Sequence, residues 1–407
     1  MGKILFADMH NNSSLALMPS LFREAGSACF GLSFPHSLLA HSTLLDRHFT
    51  FPPGARTGTM RGMVRGLLDA LKGGEPDFLL TNDELFIRNL LAARRHLRLQ
   101  KDRLPPDGAR LLALLETSLV TNDDFFTRPG SQDAARTAGF PVLDSFTADS
   151  WQAIKAQAPH FGYPFYLKLS FESGGQGVFW LTGPEDLSAV MGKCDQANIH
   201  PAPDAPALAQ KAAPGQEVSI SFSAWRGTLL GYEVYIPLKK AWKNGPTSVL
   251  KTTFRPHWAE PLRALVSRLD YTGFGGLDVM ETSSSPSSLP TVIEVNLRPT
   301  HSLQMGRQTG SPLIPRFAAS LRQGSPAVDE GPLHTQNHAT LTVFPSELQR
   351  DRHSQYLYTC PGNVPWDDPG LLRAVMNQFI APKRQRRTAP PRSPSANTEP
   401  ARQESIE

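Results

Sequence analysis

Glu294, Asn296 and Arg298 occupy alternate positions in the apolar run Thr291-Val292-Ile293-Glu294-Val295-Asn296-Leu297-Arg298. In an extended strand, residues two apart share a face. A carboxylate, an amide oxygen and a guanidinium therefore line up on one side. Asp278 lies in a second apolar run, Gly276-Leu277-Asp278-Val279-Met280, and Ser283 to Pro290 between the two runs reads as a hairpin loop. If these strands pair, Asp278 faces Glu294 and Asn296. Two carboxylates and one amide oxygen suit Mg²⁺, a hard ion that takes oxygen ligands and completes its shell with water and phosphate. Arg298 suits a phosphate or carboxylate held beside such an ion. Taken alone, the same pattern is the polar side of a half-buried strand, so its meaning depends on the elements around it.

Those elements begin with alternating strands and helices. Lys3 to Ala7 reads as a buried strand and Leu15 to Ala25 as a helix stopped by Gly26. Ala28 to Leu32 reads as a strand, Met60 to Leu71 as a helix and Asp77 to Leu80 as a strand. Thr81-Asn82-Asp83-Glu84 caps a further helix that runs to about Leu97. The alternation predicts a Rossmann-like α/β domain with a parallel sheet over residues 1–120. The pattern restarts at Thr121. A first lobe over 121–205 contains the strand Phe165 to Leu169, the Gly-rich stretch Ser173-Gly174-Gly175-Gln176-Gly177 and the strand Val178 to Leu181. A second lobe over 206–325 opens with Ala207 to Lys211, continues through antiparallel strands and ends with the Asp278 and Glu294 runs. Residues 326–380 read as a small C-terminal lobe. Residues 381–407, rich in Pro and Ser with six Lys or Arg against three Glu, read as a disordered basic tail. The fold class is thus α/β followed by α+β.

This order of elements resembles the ATP-grasp superfamily, in which a Rossmann-like domain precedes two α+β lobes that hold ATP between them. The likeness runs over roughly positions 3 to 320. Glu294-Val295-Asn296-Leu297-Arg298-Pro299-Thr300-His301-Ser302, followed by Gln308-Thr309-Gly310-Ser311-Pro312-Leu313, looks like the carbamoyl-phosphate synthetase and biotin carboxylase type. The resemblance implies that Asp278, Glu294 and Asn296 hold two Mg²⁺ ions, with Mn²⁺ as a substitute. It implies that Lys168 contacts the α- and β-phosphates. Arg298 would hold the γ-phosphate or an acyl phosphate. Ser173, Gly174, Gly175, Gln176 and Gly177 would form the loop over the phosphates, where glycines let backbone N–H groups approach closely. Gln210, Lys211, Ala212 and Ala213 would form the hinge that meets the adenine edge, and Glu217 would bind the ribose. Arg128 stands where relatives carry a phosphate-binding Lys or Arg, although Thr127 replaces the usual Asp before it. Basic residues between the lobes, among them Lys239, Lys251, Arg255, His257, His301 and Arg307, point to an anionic substrate.

The implied activity is that of an ATP-dependent ligase. It phosphorylates a small-molecule carboxylate and lets an amine or thiol displace phosphate from the acyl phosphate. A phosphotransferase that stops at the phosphorylated product and a nucleotide-binding module without catalysis are the alternatives. Other classes are disfavoured by the residues themselves. The Gly-rich stretch matches neither G-x-G-x-x-G nor a P-loop, and no G-x-S-x-G or zinc pattern occurs. The formal charge of +4 comes largely from the tail, so the folded part lacks the basic face of a nucleic-acid-binding protein. Three unpatterned cysteines (Cys29, Cys194, Cys360) and no run of about 20 apolar residues fit a cytoplasmic protein with no membrane partner. A homodimer is compatible with the sequence.

Overall fold

A computed structural model of the protein describes residues 1–380 apart from 54, 56–59, 172–176, 243–244, 283–287, 329–330 and 335–337. Ser173, Gly174, Gly175 and Gln176 of the expected phosphate loop lie outside the described residues, as do most of the Ser-rich hairpin loop and the tail from 381.

The first domain is a parallel sheet of β1 (Lys3–Asp8), β2 (Ala28–Ser33), β3 (Arg47–Thr50) and β4 (Phe78–Leu80), in the order β3-β2-β1-β4. β1, β2 and β4 have no polar face because both sides are covered. Leu5 and Ala7 of β1 enter one apolar cluster, whereas Ile4 and Phe6 enter another. The first cluster lies under the helices Met60–Gly74, Glu84–Leu99 and Pro106–Ser118, which contribute Met63, Leu67, Phe86, Leu90, Leu111 and Leu115. The second takes Leu15, Met18 and Phe22 from the short helices after β1 and is completed from far along the chain by Leu313, Ile314 and Phe317 of the helix Leu313–Gln323 and by Leu371 and Val375 of the helix Pro369–Val375. Asp368 caps that last helix and accepts hydrogen bonds from Ser42 Oγ and from Thr43 N and Oγ1 at 2.5, 2.9 and 3.0 Å. Strand order reverses between β1 and β4, so the C-terminal ends of these two strands flank the crevice where α/β sheets place ligands.

The first lobe has a small antiparallel sheet of β5 (Ser145–Ala148), β6 (Phe165–Lys168), β7 (Val178–Leu181) and β8 (Ala207–Gln210), ordered β5-β8-β6-β7. The helices Trp151–Phe161 and Pro184–Ala197 cover one side of it through Ile154, Ala158, Leu187 and Val190. The second lobe is a larger antiparallel sheet. It comprises β9 (Gln216–Trp225), β10 (Thr228–Lys240), β11 (Thr247–Thr253), β12 (Gly273–Glu281), β13 (Thr291–Asn296) and β14 (Thr340–Thr342), in the order β13-β12-β9-β10-β11-β14. β9 shows how sequence sets its two faces. Val218, Ile220, Phe222 and Ala224 pack with Leu262, Leu265 and Val266 of the helix Ala259–Arg268, while Ser219, Ser221 and Ser223 point the other way. The stretch 326–380 supplies β14 to the edge of this sheet and the final helix to the first domain. No helix among the described residues is long and apolar enough to cross a membrane.

Candidate active site

β12 and β13 pair antiparallel with Asp278 opposite Glu294 and Gly276 opposite Asn296. The two carboxylates and the amide are thereby brought together. Asn296 Nδ2 donates to Asp278 Oδ2 at 3.3 Å, and Ser219 Oγ on the next strand donates to Asp278 Oδ1 at 2.8 Å. The register slips by one residue after this pair, leaving Ile293 as a bulge. Its carbonyl accepts from Gln132 Nε2 at 2.6 Å, Lys168 Nζ at 3.1 Å and Gln210 Nε2 at 3.4 Å. Gly276 is required at the centre of this arrangement. A Cβ there would lie 2.6 Å from Thr300 Cγ2 and 2.7 Å from the Ile220 carbonyl oxygen.

Three cations reach this face from three parts of the fold. Lys168 ends β6, is buried, and donates to Gln210 Oε1 at 2.6 Å. Arg128 opens the helix Arg128–Thr137, whose cap Thr127 accepts from Gly130 N at 3.1 Å. Its Nε donates to the Leu169 carbonyl at 2.7 Å, and its Nη1 lies 2.6 Å from Glu294 Oε1. Arg298 Nε and Nη2 donate to Glu84 Oε1 at 2.8 and 2.6 Å. Glu84 is the first residue of the helix Glu84–Leu99, so this pair ties the first domain to the second lobe. A cleft of about 420 Å³, open to solvent, is lined by Glu84, Arg128, Phe171, Glu294, Asn296 and Arg298.

The electrostatics follow from this crowding. Burial pushes Asp278 up to about 6, reinforced by the negative charge of Glu294. Burial acts on Glu294 in the same sense, but Arg128 and then Lys168 and Arg298 outweigh it and hold its carboxyl below the usual range. Burial brings Lys168 down to about 8 despite the attraction of Glu294. His301 is driven by burial, and then by Arg298, to about 4, so it is neutral near pH 7 and adds no positive charge.

At the expected adenine end, Gln210 pairs with both Ser145 and Tyr166 as a central strand residue, and the Lys211 N–H donates to the Asp144 carbonyl at 3.0 Å. Lys211 Nζ is taken up by the Gly162 carbonyl at 2.5 Å. Ala212, exposed, and Ala213, half-buried, follow at the lobe junction. Glu217 sits on β9 with Lys240 Nζ 2.6 Å from its Oε2. Gly177 is buried, and its carbonyl accepts from Leu169 N at 2.9 Å, which extends the pairing of β6 with β7 by one residue on each strand. Of the basic residues expected to receive an anionic substrate, Arg255 is held by both oxygens of Glu281, and Arg307 by Glu24 and Asp367. Lys239 and Lys251 remain exposed.

The donor set fits Mg²⁺. Among the described residues no three His, Cys, Asp or Glu side chains cluster as a closed metal cage. Asp278, Glu294 and Asn296 instead offer two carboxylates and one amide on an open face, which suits an ion that keeps waters and phosphate oxygens. Glu84, Gln132 and Ser219 are the site residues that sequence reasoning passed over. Glu84 had one readable signal, its place in the first turn of a helix at the switch point of the sheet. Gln132 and Ser219 had none, because a bulge and a cross-strand neighbour are set by pairing.

No family model matches the sequence, and no curated protein matches it either. Solved structures do. The biotin carboxylase domain of the 2-oxoglutarate carboxylase of Hydrogenobacter thermophilus, in complex with MgADP, ADP and bicarbonate, superposes with a TM-score of 0.57 at 12% identity, over 83% of this chain and 73% of that one. An L-amino acid ligase from Bacillus licheniformis gives 0.56 at 13% identity, over 84% and 79%. N5-carboxyaminoimidazole synthetase from Staphylococcus aureus, complexed with ADP, gives 0.55 at 13% identity, over 83% and 81%. At such identities the likeness is one of architecture, and the architecture is that of the ATP-grasp fold, with a parallel α/β domain ahead of two antiparallel lobes.

Proposed function

We propose that this chain is an ATP- and Mg²⁺-dependent ligase that joins a small carboxylate to an amine, or to a thiol, through an acyl phosphate, releasing ADP and phosphate. One observation carries the reading. Glu294, Asn296, Arg128 and Arg298 line one cleft between the lobes and the first domain, with Asp278 paired beside Glu294 and Lys168 bonded to the Ile293 carbonyl behind them.

The chemistry assigned to each residue follows from its setting. Asp278, Glu294 and Asn296 are the residues that would hold Mg²⁺, which when bound shields the phosphate charges and orients them for in-line transfer. Lys168, fixed by Gln210 and the Ile293 carbonyl, stabilises the negative charge of the nucleotide phosphates. Arg298 is positioned by Glu84 and leaves its remaining guanidinium N–H groups for the carboxylate or acyl phosphate. Ala212 and Ala213 meet the adenine, Glu217 the ribose, and the loop from Ser173 to Gly177 covers the phosphates. The carboxylate oxygen attacks the γ-phosphorus, ADP leaves, and the amine then displaces phosphate from the acyl carbon. Positioning and charge supply the acceleration, with no covalent enzyme intermediate.

The test is ADP release from MgATP with bicarbonate, acetate and each proteinogenic amino acid as carboxylate, using hydroxylamine as a general nucleophile and amines from the same set in parallel. Hydroxamate and amide products together with ADP are expected for at least one carboxylate. ADP with a phosphorylated product and no amide would mark a phosphotransferase. Absence of ADP release throughout the panel would overturn the ligase reading.

A further inference from the structure

The crevice between β1 and β4 carries a second group of residues that the phosphate chemistry does not use. Asp8 ends β1, is fully buried, and accepts from the backbone N–H of His10 at 3.0 Å and of Asn12 at 2.9 Å. Asn11 holds a left-handed backbone, φ 61°, and its Oδ1 accepts from Leu38 N at 2.6 Å. The loop after β1 is therefore fixed at three successive residues. It presents His10, whose Nδ1 hydrogen-bonds Asp83 Oδ2. Asp83 is buried, and its other oxygen caps the helix Glu84–Leu99 by accepting from Phe86 N at 3.0 Å. A carboxylate at Nδ1 fixes the tautomer, with Nδ1–H donating and Nε2 left as the acceptor. The His10 side chain is 57% exposed, and among the described residues its Nε2 has no hydrogen-bond partner. Asn82, next to Asp83, is buried with its Oδ1 also lacking a partner among the described residues. The residue after Asp83 is Glu84, which positions Arg298. The dyad and the anchor of the acyl-phosphate arginine thus sit side by side at one helix start.

We propose that this crevice is the subsite for the nucleophilic amine and that His10, oriented by Asp83, is the general base for its attack; the proposal rests on the ligase reading above. The amine nitrogen forms the C–N bond to the acyl carbon. The bond from that carbon to the phosphate oxygen breaks, and phosphate leaves with the electron pair. The proton shed by nitrogen passes to His10 Nε2, and the imidazolium is stabilised by Asp83. An imidazole presented to solvent on a buried carboxylate is the arrangement in which a base is oriented by a third group. Its charged form is favoured first by the bond to Asp83 and then by the fields of Asp83 and Asp8, against the opposing effect of burial. Asp8 and Asp83 are the charged groups that act on the ring.

The experiment compares wild type with His10→Gln, His10→Ala and Asp83→Asn, the last of which keeps an oxygen to cap the helix. Each is assayed with MgATP and the carboxylate–amine pair that the wild type turns over, and again with hydroxylamine in place of the amine. Hydroxylamine is unprotonated near neutrality and has little need of a base. Amide formation by the His10 variants is expected to fall about 100-fold or more, at least tenfold further than hydroxamate formation. The acid limb of the kcat/KM profile should lose one titrating group in His10→Gln, leaving the limb that Asp278 contributes, and that group should titrate at lower pH in Asp83→Asn; added imidazole should restore His10→Ala. Equal losses with both nucleophiles, no loss with either, or no rescue by imidazole would overturn the base assignment while the ligase reading stands. Failure of the wild type to release ADP with any carboxylate would remove both.

Discussion

Glu294 and Arg128 form the mostly buried pair at the heart of the cleft, and their separate roles can be pulled apart. Glu294→Gln keeps the shape but removes the charge, and losing one contact of this kind commonly costs about 10²–10³ in kcat. The same change leaves Arg128 without its carboxylate, and a broken buried pair costs roughly 3–5 kcal/mol of stability. A thermal melt beside the ADP assay should show both effects, and a variant with wild-type turnover would end the metal assignment. Lys168 supplies a pH signature. Its charge is lost as pH rises through about 8, so ADP affinity should weaken several-fold between pH 8 and 9.5. In Lys168→Arg the weakening should be absent, because a guanidinium stays charged over that range. The sign for stability is opposite. The folded chain gives up this proton before the unfolded chain does, so the cost of burying the charge is fully present below about 8 and is relieved as pH rises toward the usual 10.5.

Elements, rather than single side chains, decide whether these groups meet. Gly276→Ala places a methyl group against the Ile220 carbonyl and Thr300, so β12 must shift relative to β9 and β13. A cost of about 1–3 kcal/mol is expected. Displacement of Asn296, directly opposite, should lower activity more than the melt alone implies. Glu84→Gln should lower kcat while leaving the ADP dissociation constant within a few-fold, since Glu84 holds Arg298, whose proposed partners, the γ-phosphate and the acyl phosphate, are both absent from ADP. Equal losses in both would instead tie Glu84 to the phosphates. These elements were unevenly legible. The alternation of Glu294, Asn296 and Arg298 announced a polar strand face, and the Asp278 run its partner, because strand period is written in side-chain type. β3 (Arg47–Thr50) was not foreseen as a strand; it is short, with Arg47 and Thr50 exposed, and only pairing with β2 defines it. The bulge at Ile293 could not be read, because register is a property of two strands. The exposed Lys239 and Lys251 could not be separated in advance from the ion-paired Arg255 and Arg307, because partners arrive from distant parts of the chain.

At the scale of the whole molecule, the candidate nucleotide cleft is bounded by all three structural units, so ligand binding should stabilise the chain as one body. Magnesium and ADP together at about 100 times their dissociation constant should add roughly 2.7 kcal/mol and raise the melting temperature. The shift should shrink on adding EDTA and be largely lost in Asp278→Asn. A shift that EDTA leaves untouched would count against a metal at this face. A different consequence comes from the second apolar cluster of the first domain. Ile4, Phe6, Phe78 and Leu80 are closed over by Leu313, Phe317, Leu371 and Val375, residues that leave the ribosome some 300 positions later than the first strand. A nascent chain that has reached only Val120 already has its whole parallel sheet, but on this side only Leu15, Met18, Phe22, Leu38 and Leu39 cover it, and the rest of the cover is still to come. Such a fragment should be sticky and should call on chaperones. The domain that is first in the sequence is in this sense among the last to be finished, and its completion waits on the helix at Pro369–Val375.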